Sequence, residues 1–359
     1  MENLTEDQLY AQLQELIERI SELDEVAMTK IQARLDSLTK PLNSLGQLEH
    51  IAKQLGGIQR TSTPKIFKKA VLLMAGDHGV VEEGVSAFLQ EVTPQMAYNI
   101  LRGGAGINVL ARQAKADVFL TDVGVAFPLE GDFIHKRVAN GTQNMTKGPA
   151  MTRHEALRAL LVGADVAAEK IQDGYNLFAT GELGIGNTTP SSAIVALFTN
   201  SSIEEVVDRG TGIDDAGLVK KRGAIEKAFA INQPDRTDAL DVLSKVGGLE
   251  IAAIAGSILQ AAASRVPIVI DGFISTAGAL VAAKLAPKST AFMIPSHGSV
   301  EIGHRRALTE LGLEPVLHLN MRLGEGTGAV LTFHLVEAAL CILDEMATFA
   351  EAGVSKQLT

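Results

Sequence analysis

A chain of 359 residues, 46% hydrophobic and 21% charged, has the composition of a soluble globular protein and is long enough for one large domain with a smaller appendage. Its 42 acidic and 32 basic residues, with no basic block, exclude a nucleic-acid footprint and attachment to an anionic membrane surface, which leaves a small molecule as the expected partner. The single cysteine, Cys341, excludes an intrachain disulfide, fits a reducing cytoplasm and is expected in a helical core, while residues 1–7 lack a signal-peptide layout and no uninterrupted apolar run approaches the roughly 20 residues of a membrane helix.

Three helices open the chain. Thr5-Glu6-Asp7-Gln8 has the spacing of a capping box, and Leu9, Leu13, Leu16, Ile17 and Ile20 follow at helical intervals. A second helix is predicted over residues 25–35 and a third over residues 47–55, stopping at Gly56-Gly57. Pro41, Asn43 and Gly46 punctuate the turn between them. Helices this short cannot bury their apolar stripes alone, so residues 1–65, joined by part of the C-terminal helix, are expected to form a small helical domain packed on the main body or on a second subunit.

From Lys69 onward, short apolar runs alternate with helix-length amphipathic stretches. Strands are predicted near residues 70–75, 118–123, 176–180, 268–271, 291–294 and 315–319. Such alternation predicts an α/β domain over residues 66–359, with a doubly wound, mostly parallel sheet of about six strands and helices on both faces. Ligands of such sheets bind beyond the carboxyl ends of the strands. Polar, glycine-bearing turns follow every predicted strand: Gly76-Asp77-His78-Gly79, Asp122-Val123-Gly124, residues 181–189, Asp271-Gly272-Phe273, Pro295-Ser296-His297-Gly298 and residues 322–328.

The turn at residues 181–189 opens a helix expected over residues 191–198. A glycine-rich turn at a helix N-terminus lets backbone amides approach an anion and adds about half a positive charge. Glu182 in the same stretch would repel a phosphate unless it faced another part of the ligand, which points to a phosphorylated substrate with a polar or cationic end. No lysine follows the glycines and the G-x-G-x-x-G order is missing, so neither a Walker loop nor a dinucleotide fold is indicated. A second cluster, Arg209-Gly210-Thr211-Gly212, precedes a helix carrying Lys220, read as an ordinary solvated face, and Lys221. Glu325, between Gly324 and Gly326, has little side-chain cover and is placed to accept a proton from a ligand, with Thr327 capping the helix that follows. Asp77, His78, Asp271, His297 and His304 match no compact ligand spacing, so no metal is expected, and Asp77 reads as a turn residue bonded to nearby amides. No G-x-S-x-G elbow for a serine nucleophile occurs.

Ser44-Leu45-Gly46-Gln47-Leu48-Glu49, Gly76-Asp77-His78-Gly79-Val80, residues 181–189, Ile231-Asn232-Gln233-Pro234, residues 241–248, Asp271-Gly272-Phe273 and residues 321–328 together resemble the nicotinate-nucleotide:dimethylbenzimidazole phosphoribosyltransferase family, in order and over nearly the whole chain. The resemblance implies transfer of a 5-phosphoribosyl group from nicotinate mononucleotide to 5,6-dimethylbenzimidazole, giving α-ribazole 5′-phosphate and nicotinate, in a cytoplasmic homodimer without a cofactor. It assigns Glu325 as general base and places Glu182 beside the reacting sugar. Gly184, Gly186, Asn187, Thr188, Gly210, Thr211, Gly212 and Lys221 fall to the phosphate and ribose, and Ser86, Phe88, Gln90 and Leu323 to the base. Asp77, His78, Asp271, Ser296 and His297 are further cleft residues. Family members often carry Tyr-Pro-Gln where this chain has Phe88-Leu89-Gln90, a departure that bears on base preference. The alternatives are transfer to another lower-ligand base, a metal-dependent phosphohydrolase using Asp77 and His78, and a non-catalytic nucleotide sensor.

Overall fold

The computed structural model describes residues 4–210 and 212–355. Among them, six strands form one sheet: β1 (Lys69–Gly76), β2 (Asp117–Gly124), β3 (Ile134–His135), β4 (Leu177–Leu183), β5 (Ile268–Ile270) and β6 (Met293–Pro295), in the order β3-β2-β1-β4-β5-β6. Every pairing is parallel. This is the doubly wound order, in which the connections reverse direction between β1 and β4 and leave a crevice at the strands' carboxyl ends.

The period of two along each strand divides the apolar residues between two cores. Ala70, Leu72, Met74, Phe178, Ile268 and Met293 face one layer, where the helices Arg153–Gln172, Leu249–Ala263 and Phe273–Leu285 pack. Val71, Leu73, Ala75, Ala179, Val269 and Ile294 face the other, covered by Gln47–Gln59 and Thr327–Glu345. The opening helices belong to these same cores: Leu9, Leu13 and Leu16 join the first, and Ile31, Leu35, Ile51 and Leu55 the second.

The first helix, Glu6–Glu18, begins at the predicted box, with the Thr5 hydroxyl accepting from the Gln8 backbone amide and the Gln8 side-chain Oε1 accepting from the Thr5 backbone amide. The third helix does not stop at Gly56-Gly57 but runs to Gln59. A Cβ at Gly56 would stand 2.0 Å from Ile31 Cδ1, and one at Gly57 2.7 Å from Met28 Sδ, so these glycines admit the neighbouring helix Glu25–Ser37 rather than end their own. Residues 315–319 are not a strand: a single bridge joins Leu317 to His297, while the amides of Val316 and Leu317 both donate to the Ser296 carbonyl. Pro315 brings no N–H and β6 is three residues long, so there is no ladder to extend. The sixth strand is instead the two-residue β3 at the opposite edge.

Cys341 is exposed, not buried as expected, because it lies on the outer side of Thr327–Glu345. That helix is long and apolar enough, by length and composition, to cross a membrane, but more than half of its apolar window is buried within the protein.

Candidate active site

Beyond the carboxyl ends of the strands lies a cleft of about 420 Å³. Glu182 enters it from β4, which continues past the predicted end so that this carboxylate projects from a strand rather than a loop. Glu182 is 6% exposed. Its Oε2 accepts from Asn187 Nδ2, and its Oε1 lies 3.4 Å from the Glu325 amide. Burial, reinforced by the neighbouring Asp271 carboxylate, pushes its acid up to about 8.

Glu325 reaches the cleft on a turn whose three central residues are all left-handed, Gly324 at φ 82°, Glu325 at 61° and Gly326 at 91°. A side chain at φ > 0 costs of order 1 kcal/mol or more, and such strain persists only where surrounding bonds enforce it. Asp271, at the end of β5, supplies them: one carboxylate oxygen accepts from the amides of Gly328 at 2.9 Å and Ala329 at 3.0 Å, the other from Gly326 at 3.2 Å. The Glu325 Oε2 in turn accepts from the Ile107 amide at 3.0 Å. Burial raises the acids of both Glu325 and Asp271, against the pull of the Ile107 amide for the former and of His297, 3.9 Å away, for the latter. A carboxylate so raised is a stronger base than one in water.

The second pole is built around the start of the helix Thr188–Thr199. Gly184, Asn187 and Thr188 line the cleft there, opposite Gly210, and Gly186 makes the turn at φ 90°. Beneath them Lys221, wholly buried on the helix Asp215–Asn232, donates to Thr188 Oγ1 at 2.8 Å and to the Asp208 carbonyl at 3.0 Å. It has no ion-pair partner among the described residues, and burial lowers its ammonium to about 8. A buried cation that makes no direct ion pair, beside a helix N-terminus, is an anion site in physical terms. Gly212 is exposed and outside the lining, and Thr211 lies outside the described residues. Arg322 and Glu301, which sequence reasoning passed over, complete this end.

Between the poles the wall is apolar. Phe88, Val92, Met96, Ile274 and Leu323 line it, and Phe88 and Leu323 remain 51% and 60% exposed at the mouth. Ser86 and Gln90 stand behind that lining: the Ser86 hydroxyl accepts from the Phe88 amide at 3.1 Å, and Gln90 Nε2 donates to the His78 carbonyl at 3.2 Å. They shape the segment that presents Phe88.

A family model described as phosphoribosyltransferase matches residues 20–354 of the chain. The chain belongs to that family. A relative from Geotalea uraniireducens, named nicotinate-nucleotide–dimethylbenzimidazole phosphoribosyltransferase, is 56% identical over 346 residues, 96% of this chain and 98% of its own. A protein of the same name from Desulforamulus reducens is 55% identical over 347 residues, 96% and 99% of the two lengths. The solved structure of CobT from Thermus thermophilus superposes with a TM-score of 0.89 at 46% identity, covering 92% of this chain and all of that one.

The remaining residues singled out from the sequence have supporting places in this phosphoribosyltransferase. Asp77 accepts from the Thr93 hydroxyl at 2.6 Å and the Ala126 amide at 2.8 Å. Thr93 also accepts from the Ile185 amide at 3.1 Å, so it ties the end of β1 to the turn after β4. His78 pairs with Glu250 at 2.8 Å; burial alone would lower its pKa, but the carboxylate overrides burial and the net shift is upward. Neither Asp77 nor His78 lines the cleft. Ser296 is buried and bonded through its hydroxyl to His297 Nδ1 at 3.1 Å, and of the two only His297 faces the cleft. His304 accepts from the Ser299 amide and pairs with Thr276, while burial and then His297 lower it to about 3. Among the described residues no three His, Cys, Asp or Glu side chains are grouped to hold a metal ion. Glu250, Thr93 and Glu301 carried no readable signal, since each acts at least partly on a residue far off in sequence: Glu250 on His78, Thr93 on Ile185 and Glu301 on Lys221.

Proposed function

We propose that this phosphoribosyltransferase moves the 5-phosphoribosyl group of nicotinate mononucleotide onto 5,6-dimethylbenzimidazole, releasing nicotinate and α-ribazole 5′-phosphate. One observation carries the reading: two buried carboxylates, Glu182 and Glu325, share one end of a cleft whose other end, at Thr188 and Gly210, is backed by the buried ammonium of Lys221. A ligand that is cationic at one end and phosphorylated at the other complements both.

The glycosidic bond to nicotinate breaks with its electron pair going to the ring nitrogen, which leaves as a neutral pyridine and needs neither a general acid nor a metal. Positive charge grows on the ribose, where Glu182 stabilises it. That role requires the ionised form, and the cationic ring of the bound mononucleotide draws the acid down from about 8. The benzimidazole nitrogen attacks from the opposite face, inverting the anomeric centre. Its partner N–H becomes acidic and Glu325 takes the proton. Phe88 and Leu323 supply apolar cover for the flat base, and holding the two substrates in line provides much of the acceleration.

The same proposal includes a cytoplasmic homodimer. It also includes a helical unit over residues 1–65, joined by part of the last long helix, beside a catalytic unit over residues 66–359. The bridge between Leu38 and Thr348 and the Arg34 bonds to the carbonyls of Leu343 and Met346 support that joining. Incubation with nicotinate mononucleotide and a panel of bases, followed by chromatography, tests the activity and the base preference together. Glu325→Gln is expected to fold normally and to turn over about 10²-fold more slowly or worse. Normal turnover by that variant would refute the base assignment.

A further inference from the structure

Glu301 stands at the N-cap of the helix Ile302–Leu311 and lines the cleft, yet is 7% exposed, and its Oε2 has no hydrogen-bond partner. A buried carboxylate oxygen without a donor costs free energy, so its presence needs a reason. The groups facing it come from three neighbouring segments: Lys221 from the helix Asp215–Asn232, Asp208 and the Gly210 amide from the loop before that helix, and Arg322 from the loop leading to Glu325. Lys221 donates to neutral oxygens only, and Arg322 Nη1 to the Gly210 carbonyl at 3.3 Å. Glu301 is therefore a carboxylate beside two cations at the very pole where a phosphate is expected. Two anions cannot both be held by that charge at low cost.

We infer that Glu301 is a displaceable counter-ion, balancing Lys221 and Arg322 in the empty cleft and giving up its charge by taking a proton from solvent when a phosphate monoester dianion binds. The inference rests on the phosphate reading of the Lys221 pole. Burial already raises the Glu301 acid, and a phosphate beside it raises it further, so the proton is taken up between those two values. Glu301 in this role limits affinity at alkaline pH and allows product phosphate to leave.

Calorimetric titration with nicotinate mononucleotide near pH 7, in two buffers of different ionisation enthalpy, counts the protons. At that pH the ligand phosphate, with a second pKa of about 6, is already largely a dianion, and Lys221, at about 8, is still largely a cation. Any proton lost by Glu182 to the cationic ring is lost equally by wild type and variant. Wild type is expected to take up more protons per ligand than Glu301→Gln. The variant is expected to bind about tenfold more tightly at mildly alkaline pH. Equal proton counts, or weaker binding by Glu301→Gln, would overturn the inference. Should Glu301→Gln melt early, Glu301→Met, of similar volume, gives the same comparison. The underlying reading is separately checked with Lys221→Ala: if that variant binds the mononucleotide as tightly as wild type, the phosphate site itself is misplaced.

Discussion

Asp271→Asn tests whether the strained turn carrying Glu325 is held by a charge or merely by shape. The aspartate receives three backbone amides, two on one oxygen and one on the other. Asparagine keeps one acceptor oxygen and sets an NH₂ group against the amide of Gly326, so at least one charge-assisted bond, worth about 1.5–3 kcal/mol, is lost outright. The turn it secures keeps Glu325, a residue with a Cβ, at positive φ between two glycines, and relaxing that strain gives the freed loop somewhere to go. If the loss falls on the population of the competent turn, turnover drops about 10- to 100-fold, since each 1.36 kcal/mol is a factor of ten. Removing a buried carboxylate also removes its desolvation cost, so the melting temperature should stay within roughly 3 °C of wild type. Asp271 raises the acids of both Glu182 and Glu325. The pH–rate profile of the variant should therefore move toward acid, a change that loosening alone would not produce. Steady-state release of nicotinate, followed by chromatography across pH, reads both effects. A variant with turnover within about threefold of wild type and an unmoved profile would refute the reasoning.

Glu182, at about 8 in the folded protein against about 4.3 unfolded, binds more protons folded than unfolded between those values, so its contribution to stability falls as pH rises through that window. Glu182→Gln should melt roughly 2–5 °C above wild type beyond pH 8 and close to it near pH 4; calorimetric scans showing the same offset at both ends would contradict this. Lys221→Ala should raise the KM for the mononucleotide about 10- to 100-fold and leave the KM for the benzimidazole alone, and equal losses for both would argue against a phosphate contact. Phe88→Ala removes a half-exposed ring from the mouth of the cleft and should raise the benzimidazole KM about tenfold, with the mononucleotide KM unchanged.

Much of this architecture was legible because it rests on local patterns. Five predicted strands are present because apolar runs such as residues 70–75 lie at the centre of a sheet buried on both faces, and the turns after β4, β5 and β6, though not those after β1 and β2, line one cleft. The pattern failed where tertiary context overrode it. Residues 315–319 have strand-like composition, but the sheet ends at β6 and offers no edge long enough to pair with them. Ile134–His135 pairs with β2 without any alternation to announce it. Gly56-Gly57 read as a stop because the close approach of Ile31 and Met28 was out of sight, and Cys341 read as core because an apolar helix can turn some of its surface outward. In the site, Glu325 was legible from the glycines that flank it. Its clamp was not, because Asp271 is 54 positions away, and Lys221 gave no hint of complete burial because its helix has apolar residues on no single face.

The electrostatics of the cleft argue for the kind of ligand it takes. Three carboxylates, Glu182, Asp271 and Glu325, crowd one pole, each buried and each with its acid raised. At the other pole a buried ammonium is lowered. Both shifts have the same physical origin, desolvated charge without sufficient compensation, and they have opposite signs because the charges do. An uncharged ligand would relieve neither pole, and an anion alone would relieve one. A molecule with a cationic ring and a phosphate at the two ends of a ribose relieves both at once, restoring the carboxylates toward their ordinary range and the ammonium toward its own. Once the ring departs as a neutral pyridine, that compensation at the acidic pole is lost and must be supplied again by the charge growing on the sugar. The pole that welcomes the substrate is on this account matched better still to the transition state.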